Sequence, residues 1–230
     1  MSHYYLSGNL GYWSIVLLSM VLGFITQSFI KSQYNKWSRV RVSTGETGAD
    51  VARRMLRDEG ATDVAIQPIS GHLTDNYDPR TNQLNLSSEN LNGGSVASVA
   101  VACHEAGHAV QHARGYLPVK IRTALVPLVN FTSSIWMLVF MAGVLLGQSG
   151  LLTAAVALFA FSVLFQLVTL PVEFDASRRA VKYIKTAGLG ADAERGARSV
   201  LFAAALTYVA AALTSIVQLA YYLGLSRRSR

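Results

Sequence analysis

Four long stretches of the chain are almost purely apolar, and the segments between them mix apolar and polar residues at short periods. Residues 10–29 run for twenty positions without a charge. That meets the roughly 20 residues an α-helix needs to cross the hydrocarbon of a bilayer. Residues 129–146, 151–170 and 201–223 are similar. The pattern predicts four transmembrane helices, the middle two folded into a hairpin by the uncharged turn Gly147, Gln148, Ser149, Gly150. The first run reads as a retained anchor, because no Lys or Arg precedes it and no small-x-small cleavage site follows it. The last run holds Thr207, Tyr208, Thr214, Ser215 and Gln218, so a buried soluble helix is its competing reading.

Between the first two runs lie about a hundred residues of mixed composition, enough for a small module but not for a large independent core. Ser43, Thr44 and Thr47 offer caps for a helix whose apolar face carries Val51, Met55 and Leu56 and which ends at Gly60. A short strand interrupted by Pro68 follows. Asp75, Asn76, Asp78, Pro79 and Asn82 mark a turn before Leu84 and Leu86 alternate with polar residues as a strand. A further helix is predicted from near Ser95 to about Arg114. The whole reads as a mainly α membrane protein, about four transmembrane helices plus a small α+β module. The expected divisions are an anchor over 1–30, a module over 31–125, a hairpin over 126–170, a helix over 171–200, and a fourth transmembrane helix with a basic tail over 201–230.

Composition supports the membrane reading: 51% of residues are hydrophobic and 14% charged, against about a quarter charged in ordinary soluble domains. The net charge of +7 does not point to nucleic acid, because the cations flank the apolar runs. Lys31, Lys36, Arg39 and Arg41 follow the first, Lys120 and Arg122 precede the second, and Arg178, Arg179, Lys182 and Lys185 follow the third. Seventeen of the twenty Lys and Arg residues fall in 31–125 and 171–200, which the positive-inside bias assigns to the cytoplasm. Arg227, Arg228 and Arg230 conflict with that assignment if the fourth run spans. The lone Cys103 fits a small apolar filler on its helix.

The chemistry gathers at residues 101–112, VACHEAGHAVQH. His104 and His108, four apart on a helix, share one face about a turn from each other. Two imidazoles so placed can grip one Zn2+, and Glu105 adjoins the position where water would bind. The metal lowers the water's pKa towards ~7 and the carboxylate takes its proton as it attacks a polarised carbonyl. With five histidines and six glutamates in the chain, roughly three chance matches per thousand such chains are expected, so the motif is specific. Gly107 inside a helix costs about 1 kcal/mol relative to Ala, which implies a packing or access reason.

A catalytic zinc needs a third protein ligand. Gln111 and Arg114 occupy the places where a metzincin has its next glycine and histidine, which excludes that ligand set. His112 drifts around the helix and is expected to support the site or face substrate. Glu173 and Asp175 stand where the third run returns to the charged side, and an ionised carboxylate there needs a partner. Glu173 is the preferred ligand and Asp175 the alternative, while pairing with Arg178 or Arg179 would explain either acid without a metal. An oxyanion donor is also required, for which Tyr208, His112, Tyr77 and Arg178 are candidates.

Together, LTDNYDPRTNQLNLS, SVASVAVACHEAGHAVQH and PVEFDASRRA, with the order of apolar runs, resemble the YugP-type family of membrane-bound neutral zinc metallopeptidases over about residues 34–222. The resemblance implies a gluzincin-like protease with a zincin-like module, zinc held at His104, His108 and Glu173, and Glu105 as general base. More distantly the chain is similar to HtpX-type and CAAX-prenyl-protease-like enzymes, where an aspartate four residues after the ligand glutamate supports a zinc-bound histidine. Ser177 stands there in this chain, which leaves supporting roles open for both Asp175 and Ser177. The family's turn commonly reads D-H-Y-D-P, and Asn76 replaces the histidine.

These readings lead to a membrane-embedded zinc endopeptidase with its site on the cytoplasmic side. Its expected partners are membrane proteins or tethered peptides as substrates, the lipid bilayer, and a regulatory membrane protein or a second copy. Substrate is expected to add as a strand along residues 84–87. The rival reading is a non-catalytic zinc-binding scaffold or regulatory subunit, and Glu105 argues against it, since a structural site has no use for a carboxylate beside its ligand.

Overall fold

A computed structural model describes the backbone of residues 2–228 and the side chains of residues 10–226. The tail arginines Arg227, Arg228 and Arg230 lie outside the described side chains. The described residues form seven helices and three strands, in the order α1 (Ser2–Trp37), α2 (Gly48–Asp58), β1 (Ala65–Ile69), β2 (Asn76–Asp78), β3 (Gln83–Ser87), α3 (Ser88–Asn92), α4 (Val96–Ala113), α5 (Leu117–Leu145), α6 (Ser149–Thr186) and α7 (Ala191–Arg228). Four are long and apolar enough to cross a membrane: Leu10–Trp37, Leu117–Leu145, Ser149–Thr186 and Ala191–Ser226. α1, α6 and α7 continue well past their apolar stretches, α6 through Pro171, whereas α5 extends ahead of its stretch and stops at its end, before Gly147. The turn between α5 and α6 falls at Gly147, whose φ of 62° suits a residue without a Cβ.

The chain forms two compact units. One comprises residues 1–26, 121–170 and 207–230, the other residues 27–120 and 171–206. In the first, the ring of Trp136 packs on Phe159 and Tyr222 at centroid separations of 4.9 and 5.8 Å. Much of its apolar surface faces outward, with Trp13 63% and Phe24 75% exposed, as bilayer contact requires.

The second unit has a conventional buried core. Thr47 caps α2 in a reciprocal box with Asp50, which satisfies two backbone donors that a helix start leaves open. Val51, Ala52, Met55 and Leu56 on one α2 face are buried together with Val99, Ala102, Ala106 and Val110 of α4. The small α4 side chains let the two helices approach closely. Burial of each large residue here, such as Met55, Leu84 or Leu86, contributes about 1.5–3 kcal/mol.

The sheet runs β1-β3-β2. β1 lies parallel to β3, with Ile66 opposite Leu84 and Pro68 opposite Leu86. β2 lies antiparallel, with Tyr77 opposite Leu84. Pro68 is tolerated because β1 is an edge strand. The expectation that residues 84–87 offer an edge to substrate is corrected by this order: β3 is the middle strand, its backbone is engaged on both sides, and Leu84 and Leu86 are fully buried. The outer strands are β1 and β2.

Candidate metal centre

The centre is built on α4 and the later turns of α6, both within the second unit. Ser95 begins α4, its Oγ accepting from the Ser98 backbone N–H at 3.0 Å, and the helix runs unbroken to Ala113. Ala102, Cys103, Ala106 and Val110 turn into the core, which leaves His104 and His108 on another face with ring centroids 4.8 Å apart. Against this face lies α6. A Cβ on Gly107 would stand 2.9 Å from the Ala176 carbonyl oxygen and 3.2 Å from its Cα. Glycine is therefore what admits the α6 backbone at this point, the packing reason its position in a helix implied.

That approach delivers Glu173, one turn before Ala176, to the histidines. Its Oε2 lies 3.3 Å from His104 Nε2 and 3.5 Å from His108 Nε2, and one donor atom from each of the three residues falls within 4.8 Å of the others. These separations are long for charge-assisted hydrogen bonds, which run about 2.7–2.9 Å. They match the edge of a tetrahedron whose centre lies about 2.0–2.1 Å from each corner, roughly 3.3 Å. Two imidazoles and a carboxylate also suit zinc chemically. The residues present fit the metal.

The second ring nitrogens are held as well. His104 Nδ1 lies 3.1 Å from Ser177 Oγ. His108 Nδ1 lies 3.1 Å from Gln111 Oε1. Gln111 is fully buried, and its amide nitrogen donates to the Val172 carbonyl at 2.8 Å and to Asp175 Oδ2 at 3.0 Å. With both amide protons spent, its oxygen must accept, so Nδ1 of His108 carries the proton and Nε2 keeps its lone pair for the metal side. Asp175 also takes Arg178 and the Arg179 Nε, the latter at 2.6 Å. It thus stands outside the donor group, anchoring the glutamine that orients His108.

Glu105 is half-buried. Burial raises its carboxyl above the ordinary carboxylate range, His104 and His108 oppose that rise, and Glu173 and Asp75 add to it. In the metal-free site burial pushes His108 down, but the Glu173 carboxylate beside its Nε2 and the nearby charge of Glu105 outweigh it, so a second proton, on Nε2, is favoured there and metal binding must displace it.

The remaining candidates fall elsewhere. Tyr77 donates to Asn82 Oδ1 at 2.8 Å, and Asp78 accepts from the Arg80 backbone at 2.9 Å, so both close the turn. Asn76 donates to the Thr74 carbonyl and accepts from Asn85. His112 stacks near Tyr77 at 5.4 Å and the two line a cleft of about 280 Å³ with Asp63 and Asn82. Tyr208 belongs to the first unit. Gln111 is the residue that motif reasoning passed over. Its signal was its place three residues after His108, on the same helical face.

A family model described as "Putative neutral zinc metallopeptidase" matches residues 12–227. The chain is 44% identical over 206 residues, 89% of its own length and 92% of the relative's, to a Bacillus subtilis (strain 168) protein named "Putative membrane protease YugP". No solved structure matches it.

Proposed function

The chain belongs to the neutral zinc metallopeptidase family that its residues 12–227 match, and from that premise we propose that it is a membrane-embedded zinc endopeptidase acting at Glu105. His104, His108 and Glu173 hold Zn2+, and the observation that carries this reading is their Nε2–Oε2 spacing of 3.3 and 3.5 Å. Zinc, when bound, supplies a Lewis acid that makes water acidic and a carbonyl electrophilic. Glu105 would accept the proton of the attacking water and return it to the departing amine nitrogen. Gln111 and Ser177 keep the two imidazoles aimed, so the donors need no reordering during turnover.

The four apolar helices make the chain an integral membrane protein, and the cation bias of residues 31–125 and 171–200 supports a cytoplasmic site. Membrane proteins or tethered peptides are the substrates, entering along β2, the outer strand beside α4. The test is Glu105→Gln in the full chain. Zinc content should stay at that of the unaltered protein while cleavage of a membrane-tethered reporter is lost. Cleavage at the unaltered rate would remove Glu105 from the reaction, and equal zinc content in Glu173→Ala would remove the acid from the donor set.

A further inference from the structure

α6 and α7 enclose another cleft, of about 440 Å³, within the size range of ligand sites. Its lining changes character along its length. Phe174, Leu201 and Phe202 form one end, and Lys182, Lys185 and Arg198 the other. The helices run in opposite senses through it, and Lys185 meets Glu194 at 3.5 Å where Glu194 also takes Arg198 at 3.1 Å. The ammonium of Lys182 has no carboxylate partner among the described residues, and Arg178, paired with Asp175 yet with its side chain 74% exposed, also lines the cleft. At the apolar end, Phe174 and Phe202 leave 46% and 57% of their surfaces exposed.

This gradient has a direction relative to the apolar runs. Phe174 comes four residues after the run 151–170, and Phe202 lies inside the run 201–223. Arg198 stands three residues ahead of that second run, about 5 Å along a helix axis. Along both helices the apolar end of the cleft thus lies toward the apolar runs in sequence, and the cations lie on its polar side. Cationic pockets between helices on the cytoplasmic side suit anionic headgroups. An acidic peptide would satisfy the cations but not the exposed phenylalanines.

We infer that this cleft binds an anionic phospholipid, its phosphate among Lys182, Arg198 and Arg178 and its acyl chains leaving past Phe174 and Phe202. The occupant touches the same α6 turn that serves the donor set: Ser177 lines the cleft and reaches His104 Nδ1 at 3.1 Å, and Phe174 sits between Glu173 and Asp175. Binding itself does not depend on the proposed peptidase activity.

The test is native mass spectrometry of the detergent-purified full chain with phosphatidylglycerol, phosphatidylcholine, inorganic phosphate or a short glutamate-rich peptide. The unaltered chain should retain one phosphatidylglycerol with at least tenfold preference over phosphatidylcholine. Lys182→Gln combined with Arg198→Gln should weaken retention about thirtyfold, from about fivefold for each cation near a membrane surface. Lys182→Arg with Arg198→Lys should keep it, and circular dichroism should show all three chains equally helical. Equal retention of the two lipids overturns the inference. So does unchanged retention by the glutamine pair, inorganic phosphate binding as tightly as the lipid, or preference for an acidic peptide.

Discussion

Replacing Gly107 with alanine sets two physical terms against each other. In an open helix the change is favourable by about 1 kcal/mol, since glycine loses more backbone freedom on folding. Here the new methyl would stand 2.9 Å from the Ala176 carbonyl oxygen and 3.2 Å from its Cα, against an ordinary contact of about 3.5 Å. Both obstacles are backbone, so α6 must recede from α4 by roughly 0.5 Å, a strain of about 1–3 kcal/mol. Glu173 sits one turn away on the same helix. A recession of that size exceeds the ~0.2 Å tolerance of zinc–ligand distances, so zinc affinity should fall about tenfold or more. The assay is a competition titration of the detergent-solubilised chain against a zinc chelator, paired with thermal melting of the metal-free form. Gly107→Ala should bind zinc more weakly and melt no higher than the parent. A variant that melts higher and binds zinc within twofold would show that helix propensity governs the position and that the close approach does not control the site.

Gln111→Leu should lower zinc affinity about 10- to 100-fold, the usual cost of losing a metal ligand's hydrogen-bond partner, with helix content by circular dichroism unchanged. Thr47→Ala should destabilise the second unit by about 1 kcal/mol in chemical unfolding, the typical worth of a helix cap. Because its bonds to Thr47 hold Asp50 below the usual carboxylate value, the stability Asp50 contributes is full above the unfolded pKa near 3.9. It is lost as the pH falls through the lower folded value, and Asp50→Asn should flatten that acid limb. Burial pushes the Cys103 thiol up to about 12, so iodoacetamide at pH 8 should label it only after denaturation; rapid labelling of the native chain would contradict its place in the core.

Elements with strong local punctuation were legible from residues alone. Ser95 and Arg114 bracket α4 as its N-cap and C-cap, and of the three cap candidates Ser43, Thr44 and Thr47 the structure selects Thr47 for α2. The apolar runs located all four long helices but few of their ends, because backbone hydrogen bonding carries a helix past the point where its polarity changes, in α6 even through Pro171. What escaped was non-local. Nothing in the alternation of Leu84 and Leu86 says that both sides of their strand are paired, since burial on both faces and burial in mid-sheet leave the same pattern. The His-Glu-x-x-His spacing places His104 and His108 on one helical face, as α4 carries them. The cost of a carboxylate beside an apolar run points to Glu173 as the preferred partner of the histidines and leaves Asp175 as the alternative. The separation comes from the helical turn of α6, which directs Glu173 to the histidines and Asp175 to Gln111, Arg178 and Arg179.

The order in which the donors are made has a consequence for biosynthesis. His104 and His108 leave the ribosome before the α5–α6 hairpin, and Glu173 only after it. A nascent chain therefore carries an incomplete metal grip until both hairpin helices have been translated. Under the proposed function, a chain truncated within the hairpin would lack Glu173 and with it the complete donor set.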